Sequence, residues 1–359
     1  MEDEVDDGAN ENTLISYNMK KIRIIHIINA DTTGGVEVGA KIAQTECSKF
    51  MDYEIRYIYD VKDSWFKKLI KLFKTAKLLL RETKEKDNQN LLSSLWMSHI
   101  VSLIVKTFSK KITWISFIHN SNYSNKLNYL VCTKLTLLAD KQVFDSYSTS
   151  KAYNNNAINQ TRIVNYLFQN YDLKEFDINE WSNRKYDFII VARNTKQKGF
   201  LELEKFCLSV SNSYSFRPKF MIITNNHKKI LDLEALQIKL HDVCAIDYKI
   251  DLPNSEVLRY LSESKVYFCL SHFEGFGITI LESILSGCFV VTTNVGEQKN
   301  YLWPERRLII EKANNYKIDF NYINNNGASK ENFFKTKDFL FKNVKPYAES
   351  LKRIIFEES

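Results

Sequence analysis

Short apolar runs alternate with longer amphipathic segments along this chain, and the series occurs twice. Buried parallel strands need a crossover between them, so the pattern predicts a doubly wound α/β fold. We expect two Rossmann-like lobes, with a cleft where the carboxyl ends of their sheets face one another. The predicted strands are 22–28, 54–59, 111–118, 141–144, 187–192, 219–224, 243–246, 266–270 and 289–293. The predicted helices are 36–50, 64–84, 97–109, 126–139, 199–209, 227–240, 255–262 and 279–286.

The domain boundaries follow from where this alternation stops and restarts. Residues 166–184 are polar, aromatic and aperiodic, which predicts a connection between an N-terminal domain over 19–165 and a C-terminal domain over 185–344. The segment 345–359 is expected to form a C-terminal helix that packs back on the N-terminal domain. The Asn-rich stretch 321–326 is expected to be a loop.

An acidic beginning precedes a basic remainder. The first twelve residues hold six carboxylates and no basic side chain, and we interpret residues 1–18 as a disordered tail or an added segment. Over the whole chain, Lys and Arg number 50 against 43 for Asp and Glu. Such a surplus suits an anionic partner, whether phosphate, anionic lipid or nucleic acid, and composition does not choose among them.

The cysteines and the hydropathy indicate the cellular compartment in which the protein is expected. Six cysteines occur without C-x-x-C spacing, and several lie in apolar runs, which predicts reduced structural thiols of the cytosol. No uninterrupted apolar stretch approaches the roughly 20 residues that span a bilayer. A protein that is cytoplasmic, or peripheral at the inner face of the cytoplasmic membrane, is expected.

The segment 271–297 carries the most chemical information. Its glycines allow a ligand to approach the backbone, and Thr279 can cap a helix whose free N–H groups suit a phosphate. Glu274 and Glu282 flank this helix start, where a carboxylate accepts hydrogen bonds from the hydroxyls of a polyol. A nucleotide-sugar fits that combination. The predicted donor-binding positions in the loop are Gly275, Phe276, Gly277, Ile278 and Thr279.

The run EGFGITILESILSGCFVVTT resembles the E-x7-E signature of glycosyltransferase family 4, a group of retaining enzymes with the GT-B fold. Glu274 and Glu282 stand at the two signature positions. The resemblance spans nearly the whole of 19–357, is strongest in 187–300 and is weak in the first lobe. It implies that Glu282 accepts hydrogen bonds from the ribose of the donor, while Glu274, as a catalytic residue, faces the transferred sugar.

Further site residues lie at the ends of predicted strands. Arg193 and Lys198 provide a guanidinium fork and a point charge that could bind a diphosphate, and in the family this element neutralises the leaving group. The resemblance also implies that Gly34 and Gly35 approach the donor and that His119 reaches the donor sugar across the cleft. Taken singly, each also has an ordinary structural explanation. Lesser candidates are Asn120, Ser121 and His272, and the role of Glu297 stays open.

The segment 64–84 is a predicted amphipathic helix with an apolar stripe and a basic face. Such a helix with an aromatic end is typical of interfacial membrane binding, and a core-facing helix with a solvated basic face is the equal alternative. The predicted membrane contacts are Trp65, Lys67, Lys68, Lys71 and Lys74.

Together with these motifs, the resemblance implies a retaining hexosyltransferase that uses a UDP- or GDP-linked sugar as substrate and needs no cofactor. The resemblance implies a lipid-linked saccharide acceptor in bacterial surface polysaccharide synthesis, either lipopolysaccharide O-antigen or capsule. The chain lacks Asp-x-Asp, so no metal site is predicted. It also lacks a nucleic-acid-binding signature. The alternatives are a GT-B-fold nucleotide-sugar 2-epimerase and a non-catalytic protein that binds nucleotide-sugars or nucleic acid.

Overall fold

The computed structural model describes residues 22–32, 34–85, 89–119, 126–153, 162–167, 178–213, 216–225, 230–310, 316 and 318–356. The predicted tail at 1–18 and the candidates Asn120 and Ser121 lie outside these residues. Residues 168–177 of the predicted interdomain connection also lie outside them.

The first lobe is built on a six-stranded sheet in which every pairing is parallel. Its strands are β1 (Arg23–Ile28), β2 (Asp52–Tyr57), β3 (Gln89–Ser94), β4 (Ile112–Ile118), β5 (Lys141–Phe144) and β6 (Arg162–Ile163). Their spatial order is β2-β1-β3-β4-β5-β6. The helices between them are α1 (Gly35–Cys47), α2 (Trp65–Glu85), α3 (Trp96–Phe108), α4 (Lys126–Thr133) and α5 (Tyr147–Tyr153).

The second lobe repeats the plan with another six-stranded parallel sheet. Its strands are β7 (Tyr186–Val191), β8 (Lys219–Thr224), β9 (Ala245–Ile250), β10 (Ser264–Cys269), β11 (Phe289–Thr293) and β12 (Arg307–Ile310). Their order is β12-β11-β10-β7-β8-β9. The helices that follow β7 along the chain are α6 (Leu203–Ser213), α7 (Leu233–Lys239), α8 (Asn254–Ser262), α9 (Ile278–Leu285), α10 (Gln298–Tyr301), α11 (Phe320–Gly327), α12 (Lys330–Asn343) and α13 (Tyr347–Phe356). The GT-B prediction of two Rossmann-like lobes is confirmed.

Alternate residues of the first sheet pack into different cores because successive side chains of a strand point to opposite faces. Ile24 and Leu92 belong to the core that contains α1 and α13. Their neighbours Ile25 and Leu91 belong to the core under α2 and α3. The first of these cores continues into the second lobe, where it includes Leu281 of α9.

Helix α13 returns from the second lobe to the first. The Tyr347 N–H donates to the Leu167 carbonyl at 2.7 Å, and the Lys141 ammonium donates to the Ile354 carbonyl at 2.8 Å. Tyr347, Leu351 and Ile354 are buried in the core around α1. The last described helix therefore completes the first lobe.

The prediction of a loop at the Asn-rich stretch is wrong, because these residues lie within helix α11. Asn is a weak helix former, but the Asp319 side chain caps the helix by accepting from the Tyr322 N–H at 2.9 Å. Burial of Ile323 anchors the helix on the sheet. Cap and burial together outweigh the intrinsic preference.

Strands β3, β6 and β12 are absent from the prediction. Strand β3 has the sequence QNLLSS, which is too polar to be predicted as a buried strand. In the structure every residue of β3 except Asn90 is buried. Its serines are buried because they hydrogen-bond to buried histidines. None of the described helices is long and apolar enough to cross a membrane.

Candidate active site

The carboxyl ends of both sheets open onto one cleft between the lobes, with a cavity of about 280 Å³. That volume lies just below the range of about 300–1,000 Å³ for small-molecule sites. The structure brings most of the predicted site residues to this cleft. They are Gly34, Gly35, His119, Arg193, Lys198, Glu274, Gly275, Phe276, Gly277, Ile278 and Thr279.

The N-terminus of helix α9 points into the cleft from the second lobe. Gly277 precedes the helix with a φ of +84°, a conformation that favours glycine, and no side chain caps the end. Thr279 lies inside the first turn, so its predicted role as the cap is wrong. Within the described part of the chain, the N–H groups of Ile278 and Thr279 have no hydrogen-bond partner. They remain available to an anion.

The N-terminus of helix α1 faces α9 from the first lobe. Gly34 precedes α1 without a side-chain cap, and a Cβ on Gly35 would lie 3.6 Å from the Ile278 side chain of α9. The first turn of α1 carries Glu37, where burial raises the pKa of the carboxyl group. Two helix dipoles therefore present their positive ends to the same space.

The predicted phosphate ligand Lys198 is paired with the predicted sugar ligand Glu274. The Lys198 Nζ lies 2.5 Å from Glu274 Oε1, and both side chains are mostly buried. The Ser271 hydroxyl donates to the same carboxylate oxygen at 2.5 Å. Glu274 is thus held at the cleft by a cation and a hydroxyl donor.

Arg193 follows strand β7 and is exposed at the cleft. Among the described carboxylates, none lies within ion-pair distance of its guanidinium. The two cations therefore differ. Lys198 is paired with a carboxylate, whereas the Arg193 guanidinium is exposed to the cleft.

The second signature carboxylate is placed differently from the first. Glu282 is buried on α9 and is not among the residues that line the cavity. Its Oε1 accepts from the Asn254 side-chain amide, at the start of α8, at 2.8 Å. The ribose role implied by the resemblance stays a prediction.

His119 lines the cleft at the end of β4, but both ring nitrogens are engaged inside the first lobe. Its Nε2 lies 2.8 Å from Ser94 Oγ, and its Nδ1 lies 3.1 Å from the Tyr166 hydroxyl. Burial lowers the pKa of His119 well below its usual range, so the ring is neutral. Contact between this ring and a sugar would require one of these bonds to open.

Sequence reasoning missed Asp145 and Tyr166, which also line the cleft. Asp145 follows strand β5, and a polar residue directly after a buried strand is the signal that could have found it. Its Oδ1 accepts from the Thr149 hydroxyl at 2.6 Å, and its Oδ2 accepts from the Phe276 N–H of the second lobe at 3.3 Å. Burial raises the pKa of Asp145 to about 7.

A second polar contact joins the lobes beside Asp145. The Glu297 carboxylate accepts from the Ser148 N–H at 2.7 Å and from the Ser148 hydroxyl at 3.0 Å. Glu297, whose role the sequence left open, therefore contacts the first turn of α5. His272 lies outside the cavity, 3.0 Å from Glu202.

The predicted membrane contacts lie on helix α2, outside the cleft-lining set. Trp65 is exposed and stacks on Trp96, with ring centroids 5.8 Å apart. Lys71 pairs with Asp63 at 2.5 Å, and Lys68 lies over the Tyr59 ring. The exposed basic members of the predicted set are Lys67 and Lys74.

Residues 172–318 match the model of a family described as glycosyl transferases group 1. This range includes the signature segment and most of the second sheet. Over 161 residues, the chain is 26% identical to ORF330 of Acidianus filamentous virus 2, which is named as a candidate glycosyltransferase. That alignment spans 43% of this chain and 47% of the viral protein.

Solved structures share the two-lobe architecture over nearly the whole chain. A glycosyltransferase from Rickettsia africae is similar with a TM-score of 0.67 and 16% identity, covering 95% of this chain and all (100%) of its own. Anabaena HepE, solved in complex with UDP, is similar with a TM-score of 0.69 and 13% identity, covering 93% and 98%. At these identities the likeness establishes the GT-B fold.

Proposed function

We propose that this protein is a glycosyltransferase that moves a sugar from a nucleoside-diphosphate sugar to a hydroxyl group of an acceptor. The observation that carries the proposal is the convergence of two helix N-termini with Arg193, Lys198 and Glu274 on one cleft. Cations and helix N-termini suit a diphosphate, whereas a carboxylate beside them suits the hydroxyls of a sugar. The family match over 172–318 supports the same activity.

The ion pair between Lys198 and Glu274 gives the donor a way to organise the site. A diphosphate carries more negative charge than one carboxylate, so it competes for the Lys198 ammonium. Arg193 meets the same phosphates as a bidentate donor. When Lys198 turns to the diphosphate, the Glu274 carboxylate is released toward the sugar.

The proposed transfer retains the anomeric configuration and needs no enzyme nucleophile. The bond from the anomeric carbon to the diphosphate oxygen breaks, and the acceptor oxygen forms its bond on the same face of the sugar. The departing phosphate takes the acceptor's proton. The cations and helix N-termini stabilise the leaving group, while Glu274 stabilises positive charge on the sugar.

We expect a hexose carried on UDP or GDP as the donor, with no cofactor and no metal ion. Support comes from Arg193, Lys198 and the α9 N-terminus, which supply fixed positive charge where other enzymes use a divalent cation. Turnover should therefore survive excess chelator. Loss of turnover in EDTA that Mg²⁺ or Mn²⁺ restores would contradict the metal-independent mechanism.

The acceptor we favour is a lipid-linked saccharide of a bacterial surface polysaccharide, reached at the inner face of the cytoplasmic membrane. Support comes from an outward ridge on helix α2 formed by Phe66, Ile70 and Phe73, at the spacing of one helix face. Phe66 is 71% exposed and Phe73 is 62% exposed. Exposed Lys67 and Lys74 flank this ridge, as interfacial binding to anionic lipid requires.

Co-sedimentation with anionic vesicles tests this membrane contact. Each basic residue near a charged membrane contributes about 1 kcal/mol, so replacing Lys67 and Lys74 by Glu should release most of the bound protein. The matched control replaces Lys205 and Lys249, which are exposed on the second lobe, and should bind as the wild type does. Equal sedimentation of both variants would leave α2 as an ordinary surface helix.

The activity is tested with a panel of UDP- and GDP-sugars, with and without saccharide and lipid-linked acceptors. We expect nucleoside diphosphate release that depends on the acceptor, and NMR of the product should show the anomeric configuration of the donor. Release of a free sugar isomer without acceptor would instead indicate a 2-epimerase. Tight donor binding without any turnover would indicate a binding protein.

A further inference from the structure

A continuous series of hydrogen bonds runs through the buried interior of the first lobe and reaches the cleft. Its members, in order, are Tyr347, Tyr53, His26, Ser94, His119 and Tyr166, and we call this set the histidine chain. Every member is at most 7% exposed. The chain links Tyr347 of helix α13 to the cleft-lining Tyr166, and the rings of these two residues also stack, with centroids 5.8 Å apart.

The centre of the chain is Ser94, whose hydroxyl lies between two imidazole rings. The Ser94 Oγ is 2.8 Å from His26 Nε2 and 2.8 Å from His119 Nε2. Among the described residues, this hydroxyl has no third hydrogen-bond partner. A serine hydroxyl carries one proton, so it donates to one ring and accepts from the other.

Both rings are neutral, so each carries its single proton on the nitrogen that its contact with Ser94 dictates. Burial lowers the pKa of His26 to about 3 and that of His119 well below its usual range. A neutral imidazole carries its proton on one nitrogen only. The ring that accepts from Ser94 must therefore be protonated on Nδ1, and the ring that donates to Ser94 is protonated on Nε2.

We propose that the single proton of Ser94 locks His26 and His119 in opposite tautomers, and that this pairing positions His119 and Tyr166 at the cleft. The pairing stands on the contacts alone, whereas its effect on sugar transfer rests on the proposed function. His26 and Ser94 are then positioning residues, which act through His119.

The two possible proton orders differ at the cleft. If Ser94 donates to His119, the Nδ1–H of His119 donates to the Tyr166 hydroxyl. If Ser94 donates to His26, the Tyr166 hydroxyl donates to His119 instead. The order thus decides whether Tyr166 accepts or donates at its contact with His119, 3.1 Å away.

The tyrosines that precede His26 in the chain bias the choice between these orders. The Tyr53 hydroxyl lies 2.7 Å from His26 Nδ1 and 3.1 Å from the Tyr347 hydroxyl of α13. Tyr53 therefore helps to set the tautomer of His26, and through Ser94 that of His119. Removal of the Tyr53 hydroxyl should be felt at His119, a ring that it does not touch.

Strand β3 supplies a matched control in the preceding residue. Ser93 is also fully buried, and its hydroxyl lies 2.9 Å from His99 Nδ1 and accepts from the Trp114 indole at 2.8 Å. Adjacent strand residues point to opposite faces, so Ser93 belongs to the other side of the sheet. S93A disturbs a buried serine–histidine bond and leaves the histidine chain intact.

The experiment is long-range ¹H–¹⁵N NMR of the full chain with ¹⁵N-labelled histidine at neutral pH, which distinguishes the tautomers without any substrate. In the wild type and in S93A, we expect one of His26 and His119 to be protonated on Nδ1 and the other on Nε2. In S94A the complementarity should be lost, with at least one ring becoming a mixture. Y53F, which keeps Ser94, should shift the His119 signals.

The same tautomer on both rings in the wild type would overturn the pairing, as would unchanged His26 and His119 signals in S94A. If S94A does not fold, unchanged His119 signals in Y53F would overturn the pairing.

The effect on turnover is a separate test. Loss of a buried hydrogen bond at a positioning residue should lower kcat about fivefold to tenfold in S94A, with a smaller change in KM. Equal loss in S93A and S94A would overturn the positioning role. If the two rings show opposite tautomers but no sugar transfer is detected, the pairing stands and only the proposed function is rejected.

Discussion

The two walls of the cleft solve different chemical problems. The second-lobe wall carries the charged groups, with Arg193, the Lys198–Glu274 pair and the α9 N-terminus. The first-lobe wall carries less charge, because burial keeps His119 neutral and raises the pKa values of Tyr166 and Asp145. A charged wall faces a leaving diphosphate best, whereas a neutral hydrogen-bonding wall faces sugar hydroxyls best. Under the proposed function, the second lobe would supply most of the donor-binding energy and the first lobe would position the sugar.

The largest effect should come from Glu274→Gln on the charged wall. Removal of a charge that stabilises the transition state typically costs about 10²–10³ in kcat. Because Lys198 loses its carboxylate partner, nucleoside diphosphate affinity should rise rather than fall. Turnover assays and calorimetric titration with UDP or GDP measure both quantities. Glu256 is half-buried, pairs with Arg259 and lies outside the cavity lining, so E256Q serves as the control. Normal turnover in Glu274→Gln would remove the strongest residue from the glycosyltransferase proposal.

Arg193→Ala should act mainly on binding. A charge-assisted hydrogen bond contributes about 1.5–3 kcal/mol, which corresponds to a loss of about 10-fold to 100-fold in nucleoside diphosphate affinity. The exposed Lys196 lies three residues away and outside the cavity lining, so K196A is the matched control. Titration of the two variants compares them directly. A similar small loss in both would mean that the cleft attracts anions without a defined diphosphate site.

Glu282→Gln tests whether the signature's second carboxylate reaches the donor at all. If Glu282 accepts from the ribose, both nucleoside diphosphate and intact donor should bind about tenfold more weakly. Its bond to Asn254 offers a purely structural role instead. Binding isotherms together with thermal unfolding separate the two roles. A lower melting temperature with unchanged affinity would assign Glu282 to the α8–α9 contact.

The pH dependence of stability tests Asp145 on the first-lobe wall. Its folded pKa of about 7 lies above the usual value of 3.8, so the folded state binds the proton more tightly than the unfolded state does. Its contribution to stability is therefore greatest at low pH and declines as pH rises toward 7. The decline between about pH 5 and pH 8 amounts to about 3 kcal/mol.

Asp145→Asn cannot ionise, so its melting temperature should fall less than that of the wild type over this range. Calorimetry of both proteins measures the difference, and D338N, at an exposed carboxylate on α12, serves as control. Parallel pH profiles for wild type and Asp145→Asn would mean that Asp145 stays ionised in the folded state.

The same contrast between the walls explains what sequence reasoning could find. The charged wall lies on two short segments that follow strands β7 and β10, so local pattern, charge and the family resemblance predicted Arg193, Lys198 and the glycine loop. Strand β3 looked polar, and its burial depends on partners such as His26, which lies far away in sequence. Likewise, the bond between Lys198 and Glu274 joins residues separated by 76 positions. Chemistry set by long-range contacts could not be predicted from local periodicity.

The return of helix α13 to the first lobe has a consequence for biosynthesis. Residues 23–163, which form the first sheet, leave the ribosome well before Tyr347, Leu351 and Ile354, which seal its core. Until α13 is synthesised, the apolar surface that it covers on the first lobe stays exposed. The second lobe can fold as a unit before that happens. The lobe that is made first is therefore the last to be finished.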